Sequence, residues 1–416
     1  MDERSLIYDW NVNGHAHSPP IGKVELHDET IRDGIQCPSV KDPTLDQKLE
    51  IVRTLDQLGV ASSDLALPGA GERATEDCER IVEMIRDEGL SIRPAAAGRT
   101  HPNDIRPICE ITQRTGVPVE AMMFLGTSPI RIYAEGWTEE KLETLTRQAV
   151  KMAVQGGLPA SFVTEDTVRS QPTTLRRLFT AAVEEGADRI VLCDTVGHAT
   201  PNGVFNLIRW THDLLVGLGV RDRVRVDWHG HSDRGLSLVN TVYAIEAGAD
   251  RVHGTILGVG ERVGNTPLDL LLVNLKLLDA WDGDLSALGP LCDLVSRATE
   301  VPIPVNYPVF GADAFRTGTG VHAAAVIKAQ RKGDHWLADR IYSGVPAAWF
   351  GRQQEIEIGH QSGLSNVRFW LQQRGLPEDE DVVNAIFEQA KSGSELLSND
   401  EVLAIVQRVR PEGAHA

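Results

Sequence analysis

Positive charge is what this chain has little of. Its 416 residues carry 41 Lys and Arg against 59 Asp and Glu, a formal net charge of -18 and a pI of about 5.2. That balance excludes nucleic acid and anionic membrane surfaces as expected partners. Cysteine is also scarce. Cys37, Cys78, Cys109, Cys193 and Cys292 are scattered, odd in number and never spaced as C-x-x-C. A disulfide framework or a thiolate zinc site is therefore not expected, and a reducing, cytoplasmic setting is the simple reading. No stretch approaches the ~18 apolar residues of a membrane span. The N-terminus carries Asp2 and Glu3 and lacks an apolar core, so a signal peptide is not expected. Arg outnumbers Lys, which supplies local clamps for anionic ligands in an acidic protein.

What is present is a repeat. Amphipathic stretches end at Gly59, Gly89, Gly116, Gly157, Gly186, Gly219 and Gly248. Glycine stops a helix because it accepts the left-handed conformation without a Cβ clash. A short apolar or β-branched run follows each stop within a few residues. The interval is roughly thirty residues, the size of one βα unit. Counting from the start, strands are expected at Val24–Leu26, Asp64–Leu67, Ile92–Ala95, Val117–Phe124, Ala160–Val163, Arg189–Cys193, Val224–Trp228 and Arg251–Gly254. Thr44-Leu45-Asp46-Gln47 reads as a capping box for the first helix.

Eight such units predict an α/β chain built on a (β/α)8 TIM barrel. The rival is an open doubly wound sheet, which usually has fewer strands and a Gly-rich first turn. Here the first turn carries Arg32 and Asp33 instead. The expected organisation is a lead-in over residues 1–22 and a catalytic barrel over 23–280, closing after a helix from Pro267. An Asp/Gly-containing linker over 281–300 follows. A mostly helical C-terminal region over 301–416 has helical stretches near Gly363–Gln373, Asp381–Lys391 and Asn399–Val409.

Two distant fragments carry the chemistry. One is Arg32-Asp33-Gly34, the other His229-Gly230-His231. A carboxylate and two imidazoles are a hard-to-borderline ligand set for a divalent cation. The neighbouring arginine suits chemistry in which negative charge develops on oxygen. His-x-His on a strand puts both rings on one face. His15-Ala16-His17 has the same spacing but lies in a polar stretch before Pro19 and Pro20, and is read as solvated.

Barrel enzymes work at the C-terminal ends of their strands. Arg32 and Asp33 follow strand one, and Thr127, Ser128 and Arg131 follow strand four. Glu165 follows strand five, Asp194 and Thr195 end strand six, His229 and His231 end strand seven, and Gly258–Asn265 follow strand eight. All fall on one rim. Plainer readings exist for some: Glu165-Asp166 as a helix cap, Arg131 as a surface charge, Cys37 as an incidental small residue. The Gly258–Asn265 loop lacks the ending of a P-loop and the spacing of a dinucleotide fingerprint, and reads better as a tight rim loop that carries Asn265 toward the cation.

These motifs resemble a family. Asp28-x-Thr30-x-Arg32-Asp33-Gly34-x-Gln36 is similar to the signature of the DRE-TIM metallolyase barrels, in the isopropylmalate and homocitrate synthase branch. Glu165-Asp166-x-x-Arg169, Asp194-Thr195-Val196-Gly197, His229-Gly230-His231 and Gly258-x-Gly260-Glu261-Arg262-x-Gly264-Asn265 continue the match. Thr319-Gly320-Val321-His322-Ala323, Ile341-Tyr342, Gly351-Arg352 and Ser362-Gly363-Leu364-Ser365-Asn366 extend it to about residue 370. The His322 and Tyr342 segments favour the condensing branch over simpler lyases.

The resemblance implies a Claisen-type condensation of acetyl-CoA with a 2-oxo acid, followed by thioester hydrolysis. It implies a divalent metal (Mg, Mn, Co or Zn) held by Asp33, His229 and His231, with Asn265 as fourth ligand. Arg32 would stabilise the developing oxyanion, serving the chemistry rather than the fold. Glu165 and His322 would move the methyl proton, with Tyr342 beside them. Gln36, Arg131 and Thr195 would contact substrate. It further implies a homodimer whose His322 and Tyr342 segments serve the partner's barrel. Ser232, Ala66 and Ile35 depart from the usual pattern and leave the acceptor open. An arginine at position 131 favours a second anionic group, as in 2-oxoglutarate, oxaloacetate or a phosphonate-bearing analogue, over an apolar branched acid. The chain is too short for the long regulatory domain of typical isopropylmalate synthases, so leucine feedback is not expected. The other readings are an acyl-CoA lyase or aldolase that cleaves the equivalent bond, and a non-catalytic sensor on the same scaffold.

Overall fold

The computed structural model describes residues 6–11 and 22–410. The His15 and His17 pair and most of the expected lead-in lie outside the described residues. The chain divides after Pro302 into two compact units.

The first unit is a closed barrel of eight parallel strands in sequential order. They are β1 (Glu25–Asp28), β2 (Ser62–Asp64), β3 (Arg93–Arg99), β4 (Glu120–Gly126), β5 (Ala160–Glu165), β6 (Arg189–Asp194), β7 (Arg225–Gly230) and β8 (Arg251–Gly254). The ring closes where Glu25 through Asp28 pair in register with Arg251 through Gly254. Helices α1 (Leu45–Gln57), α2 (Glu72–Glu88) and α3 (Pro102–Thr115) follow the first three strands. After β4 come α4 (Pro129–Glu135) and α5 (Glu139–Gln155), and α6 (Pro172–Glu184), α7 (Pro201–Gly217), α8 (Ser237–Ala247) and α9 (Leu268–Leu277) follow β5 to β8. The capping box at Thr44 is formed, Thr44 accepting from the Gln47 amide and Gln47 from the Thr44 amide. All seven predicted stop glycines have positive φ.

Two expectations are corrected. The second strand lies earlier than the apolar run Asp64–Leu67, because buried polar partners on both faces of the sheet reward hydroxyls, His27 for Ser62 on one face and Asp28 for Ser63 on the other. The stretch expected as linker, 281–300, contains helix α10 (Leu288–Thr299). Leu288, Leu291, Leu294, Val295 and Ala298 recur at helical spacing and are buried. The Asp282-Gly283-Asp284 punctuation masked that pattern.

The barrel interior departs from the usual layers of Val, Ile and Leu. Arg251 on β8 is fully buried. Its Nε donates to Asp227 Oδ2 on β7 at 2.7 Å, and its Nη1 donates to Glu120 Oε2 on β4 at 2.8 Å and to Ser62 Oγ at 3.0 Å. Strands β4 and β8 are opposite in an eight-strand ring, so this pair spans the lumen. Burial alone would raise the Glu120 pKa, but the Arg251 guanidinium holds it down at about 2.

The second unit is mostly helical. Helices α11 (Gly320–Arg331), α12 (His335–Arg340), α13 (Leu364–Gln373), α14 (Glu380–Ser392) and α15 (Asn399–Val409) accompany a two-residue parallel pairing of β9 (Arg316–Thr317) with β10 (Glu355–Ile356). The last three helices match the expected ones, and their Val367, Trp370, Val382, Ile386, Val402 and Ile405 form one core. Helices α11 and α12 were not anticipated. The alanines of α11 blur its apolar stripe, yet Ala323, Val326 and Ile327 pack with Ile356 and Phe369. Among the described residues no helix is long and apolar enough to cross a membrane.

Candidate active site

The barrel mouth encloses a cavity of about 320 Å³. Its polar side is built from β1, β7 and β8, where Glu29, Arg32, Asp33, His229, His231 and His253 line it. Its other side is largely apolar, with Leu67, Ala97, Met122, Phe124, Val163 and Val191.

Asp33 sits just past β1, at the start of a 3-10 turn over Gly34–Gln36. His229 is on β7, and His231 forms an isolated bridge with Asn265. That bridge makes the rim loop deliver Asn265, whose Nδ2 donates to Asp33 Oδ2. The loop can turn this tightly only with glycine at 264. Gly264 has φ +99, and a Cβ there would fall 1.9 Å from the Gly258 carbonyl oxygen. Arg262 locks the loop, donating to both Asp233 carboxylate oxygens and to the Thr195 carbonyl.

Ligating atoms of Asp33, His229 and His231 lie within 4.8 Å of one another, all buried. His229 Nε2 is 3.0 Å from His231 Nε2, and His231 Nε2 is 3.8 Å from Asp33 Oδ2. Burial and the facing His229 ring lower the His231 pKa to about 4, so this imidazole is neutral at pH 7. Asn265 Oδ1 is buried with no hydrogen-bond partner. A carboxylate, two facing imidazoles and an orphaned amide oxygen suit a divalent cation.

A second His–Glu–His set, His27, Glu29 and His253, also meets on distance. There Glu29 and His253 are already engaged, while His27 turns its Nδ1 to Ser62 Oγ at 2.7 Å and leaves Nε2 without a partner. His253 Nδ1 faces Glu29 Oε1 at 3.0 Å and its Nε2 faces Asp227 Oδ2 at 3.1 Å. Both His253 nitrogens are thus occupied by carboxylates rather than open to an ion.

Arg32 is gripped by three carboxylates. Its Nε donates to Asp64 Oδ2 at 2.7 Å, its Nη1 to Asp33 Oδ1 at 2.7 Å and its Nη2 to Glu29 Oε1 at 3.2 Å. It therefore carries structural load as well as lining the cavity. A guanidinium has five N–H donors, so two remain. Burial raises the Asp64 pKa to about 6, against the pull of Arg32.

Glu165 ends β5 and lines the cavity. Burial raises its pKa, opposed by Arg131. Arg131 Nε lies 3.6 Å from Glu165 Oε1, and Arg131 Nη1 lies 3.2 Å from Glu135. Arg131 is not one of the cavity's lining residues. Asp166 has φ +61 and pairs with Arg169, which accounts for the Glu165-Asp166-x-x-Arg169 spacing as a locked turn. Thr195 Oγ1 accepts from the Asp166 amide at 2.8 Å, leaving its own proton to donate. Gln36 also lines the cavity.

In the second unit, His322 and Tyr342 stack with ring centroids 4.1 Å apart, and both are exposed. Sequence reading did not single out Glu29 or His253. The signal available was an acidic residue four before the candidate ligand Asp33.

The fold and site define a TIM-barrel protein with a candidate divalent-cation centre at the C-terminal rim. A family profile described as HMGL-like matches residues 23–295, and the chain belongs to that family. It is 31% identical over 417 residues to homocitrate synthase AksA of Methanothermobacter thermautotrophicus, covering 98% of each chain. It is 31% identical to the probable 2-isopropylmalate synthase of Ignicoccus hospitalis, covering 95% of this chain and 94% of that one. The HMG-CoA lyase structure from Bacillus subtilis superposes with a TM-score of 0.55 at 20% identity, over 69% of this chain and 97% of that one, a likeness of fold.

Proposed function

We propose that this protein is an acyltransferase condensing acetyl-CoA with a 2-oxo acid, then releasing CoA by hydrolysis. The observation that carries the reading is the convergence of Asp33, His229, His231 and Arg32 on one cavity wall, with Glu165 also lining that cavity. The relatives' names, two synthases of 2-hydroxy acids, support the same class.

Asp33, His229 and His231 would hold the cation, with Asn265 Oδ1 as fourth ligand. A divalent cation there supplies Lewis acidity toward the 2-oxo acid's oxygens. The two spare Arg32 donors stabilise negative charge on the oxygen that forms. Thr195 donates its hydroxyl proton to the substrate carboxylate, and Gln36 adds a polar contact. Glu165, with His322 and Tyr342, takes the proton from the acetyl methyl group. The methyl carbon then bonds to the keto carbon. Water cleaves the C–S bond, giving a 2-substituted malate and free thiol.

The apolar wall of Met122, Phe124 and Val163 suits the acceptor's methylenes, and Arg131, outside the lining but 3.6 Å from Glu165, suits a second anionic group. We therefore favour a 2-oxo acid bearing a distal carboxylate or phosphonate. We also propose a homodimer in which His322 and Tyr342 complete the partner's site.

Thiol release from acetyl-CoA tests this in cobalt- or manganese-loaded protein. The panel is pyruvate, 2-oxoisovalerate, oxaloacetate, 2-oxoglutarate and a phosphonate-bearing 2-oxo acid. CoA release with one or more of them is expected. No release with any, together with cleavage of a 3-hydroxyacyl-CoA, would establish the lyase reading instead.

A further inference from the structure

Three groups of the barrel mouth meet on one carboxylate that neither the motif nor the chemistry above uses. Glu29 is 1% exposed. Its Oε2 faces His229 Nδ1 at 2.7 Å. Its Oε1 faces His253 Nδ1 at 3.0 Å and accepts from Arg32 Nη2 at 3.2 Å. Behind it, His253 Nε2 meets Asp227 Oδ2 at 3.1 Å, the oxygen that also accepts from Arg251 Nε at 2.7 Å.

The geometry restricts His229. A carboxylate can only accept, so the proton on His229 belongs on Nδ1. Its Nε2 then keeps a lone pair, and Nε2 is the atom directed at His231. We propose that Glu29 is a positioning residue, anchored by His253 and Asp227, that fixes the tautomer and ring angle of His229 for a cation and, through the same carboxylate, the placement of Arg32. Partners of this kind orient the ligand and raise its basicity, and their loss typically costs 10- to 100-fold in metal affinity. The inference rests on the proposed cation site, so the test separates the two.

The experiment is Co2+ binding to the full chain by equilibrium dialysis and by the visible spectrum of the bound ion. Wild type, Glu29→Gln, His253→Asn and His231→Ala are compared, with circular dichroism as a check on folding. Glu29→Gln should bind Co2+ about 10- to 100-fold more weakly with a shifted spectrum, and His253→Asn should show a smaller loss. Imidazole 15N NMR of the metal-free wild type, which needs no variant to fold, should report His229 protonated on Nδ1. If His231→Ala keeps wild-type affinity, the cation site falls and this inference with it. If His231→Ala loses the ion while folded Glu29→Gln keeps wild-type affinity and spectrum, only the role of Glu29 is refuted. A neutral His229 ring protonated on Nε2 instead of Nδ1 in the wild type refutes it as well.

Discussion

Arg131 and Glu165 form a loose pair at the edge of the cavity, 3.6 Å from Nε to Oε1. The arginine also leans on Glu135. Its side chain lies back along the end of β4 because residue 126 is glycine; a Cβ there would fall 2.5 Å from Arg131 Cγ. An anionic acceptor that draws the guanidinium away would remove the charge that restrains the Glu165 pKa. The same residue can thus recognise an acid and tune a base.

Arg131→Ala is expected to raise KM for a 2-oxo dicarboxylic acid by about 10- to 100-fold, the scale of one charge-assisted hydrogen bond. It should leave KM for pyruvate much less affected. Burial raises the Glu165 pKa and Arg131 lowers it, so removing Arg131 moves it further up. If the ionised carboxylate is the base, as proposed, the acidic limb of the kcat/KM profile should shift to higher pH. An unmoved limb would detach Glu165 from the proton transfer.

Arg32→Lys keeps the charge but loses the planar fork. Turnover should fall by about two or more orders of magnitude, as for loss of one oxyanion donor. The three carboxylates around Arg32 mean that Tm should also fall by several degrees. Kinetics and calorimetry on one sample check both. Normal turnover with lowered Tm would leave Arg32 a purely structural residue.

The lumenal pair sets a pH dependence of stability. Glu120 has a folded pKa of about 2 against an ordinary 4.5. A depressed carboxylate stabilises the fold fully above the unfolded value, and that contribution is lost as pH falls through the folded one. Between pH 4.5 and 2 it amounts to about 3 kcal/mol. Glu120→Gln should be less stable at pH 6 by about 3–5 kcal/mol, because Arg251 loses a buried partner. The difference from wild type should shrink toward pH 2. Urea titrations across that range measure it, and a pH-independent difference would contradict the assignment.

A shared site predicts complementation. His322→Ala and His231→Ala should each be inactive alone. After subunit exchange at equal concentrations, half the dimers are mixed and one site in each has both residues, so about a quarter of wild-type activity should return. Exchange demonstrated by mass without activity would place His322 in service of its own chain or of none.

How much was legible in the sequence depended on the distance over which each residue acts. The barrel strands followed from glycines such as Gly89 and Gly248, whose left-handed conformation is a local property. The rim residues followed once strands were placed, because Glu165, Asp194 and His229 sit at or next to strand ends. The turn at Asp166 and Arg169 was visible as spacing, but its φ of +61 was not. Glu29 and His253 escaped because their contact crosses 224 residues of sequence and depends on the closing register that sets His27 beside His253. Arg251 reads as the polar start of a strand, and nothing local tells that it points inward. Helix α10 was hidden by its own acidic preface.

The Arg251 bridge also bears on how this barrel can change over time. Aliphatic lumens tolerate substitutions one at a time, since neighbouring side chains relax around a small gain or loss of volume. A guanidinium shared between β4 and β7 does not relax that way. Importing β8 from a relative that lacks the arginine takes from Glu120 its guanidinium partner and leaves Asp227 to Arg189, and importing β4 alone leaves Arg251 with Asp227 but without Glu120. Strands on opposite sides of the ring are therefore obliged to be inherited together. Recombination that joins halves of two such barrels should yield folded progeny only when both ends of the bridge come from one parent.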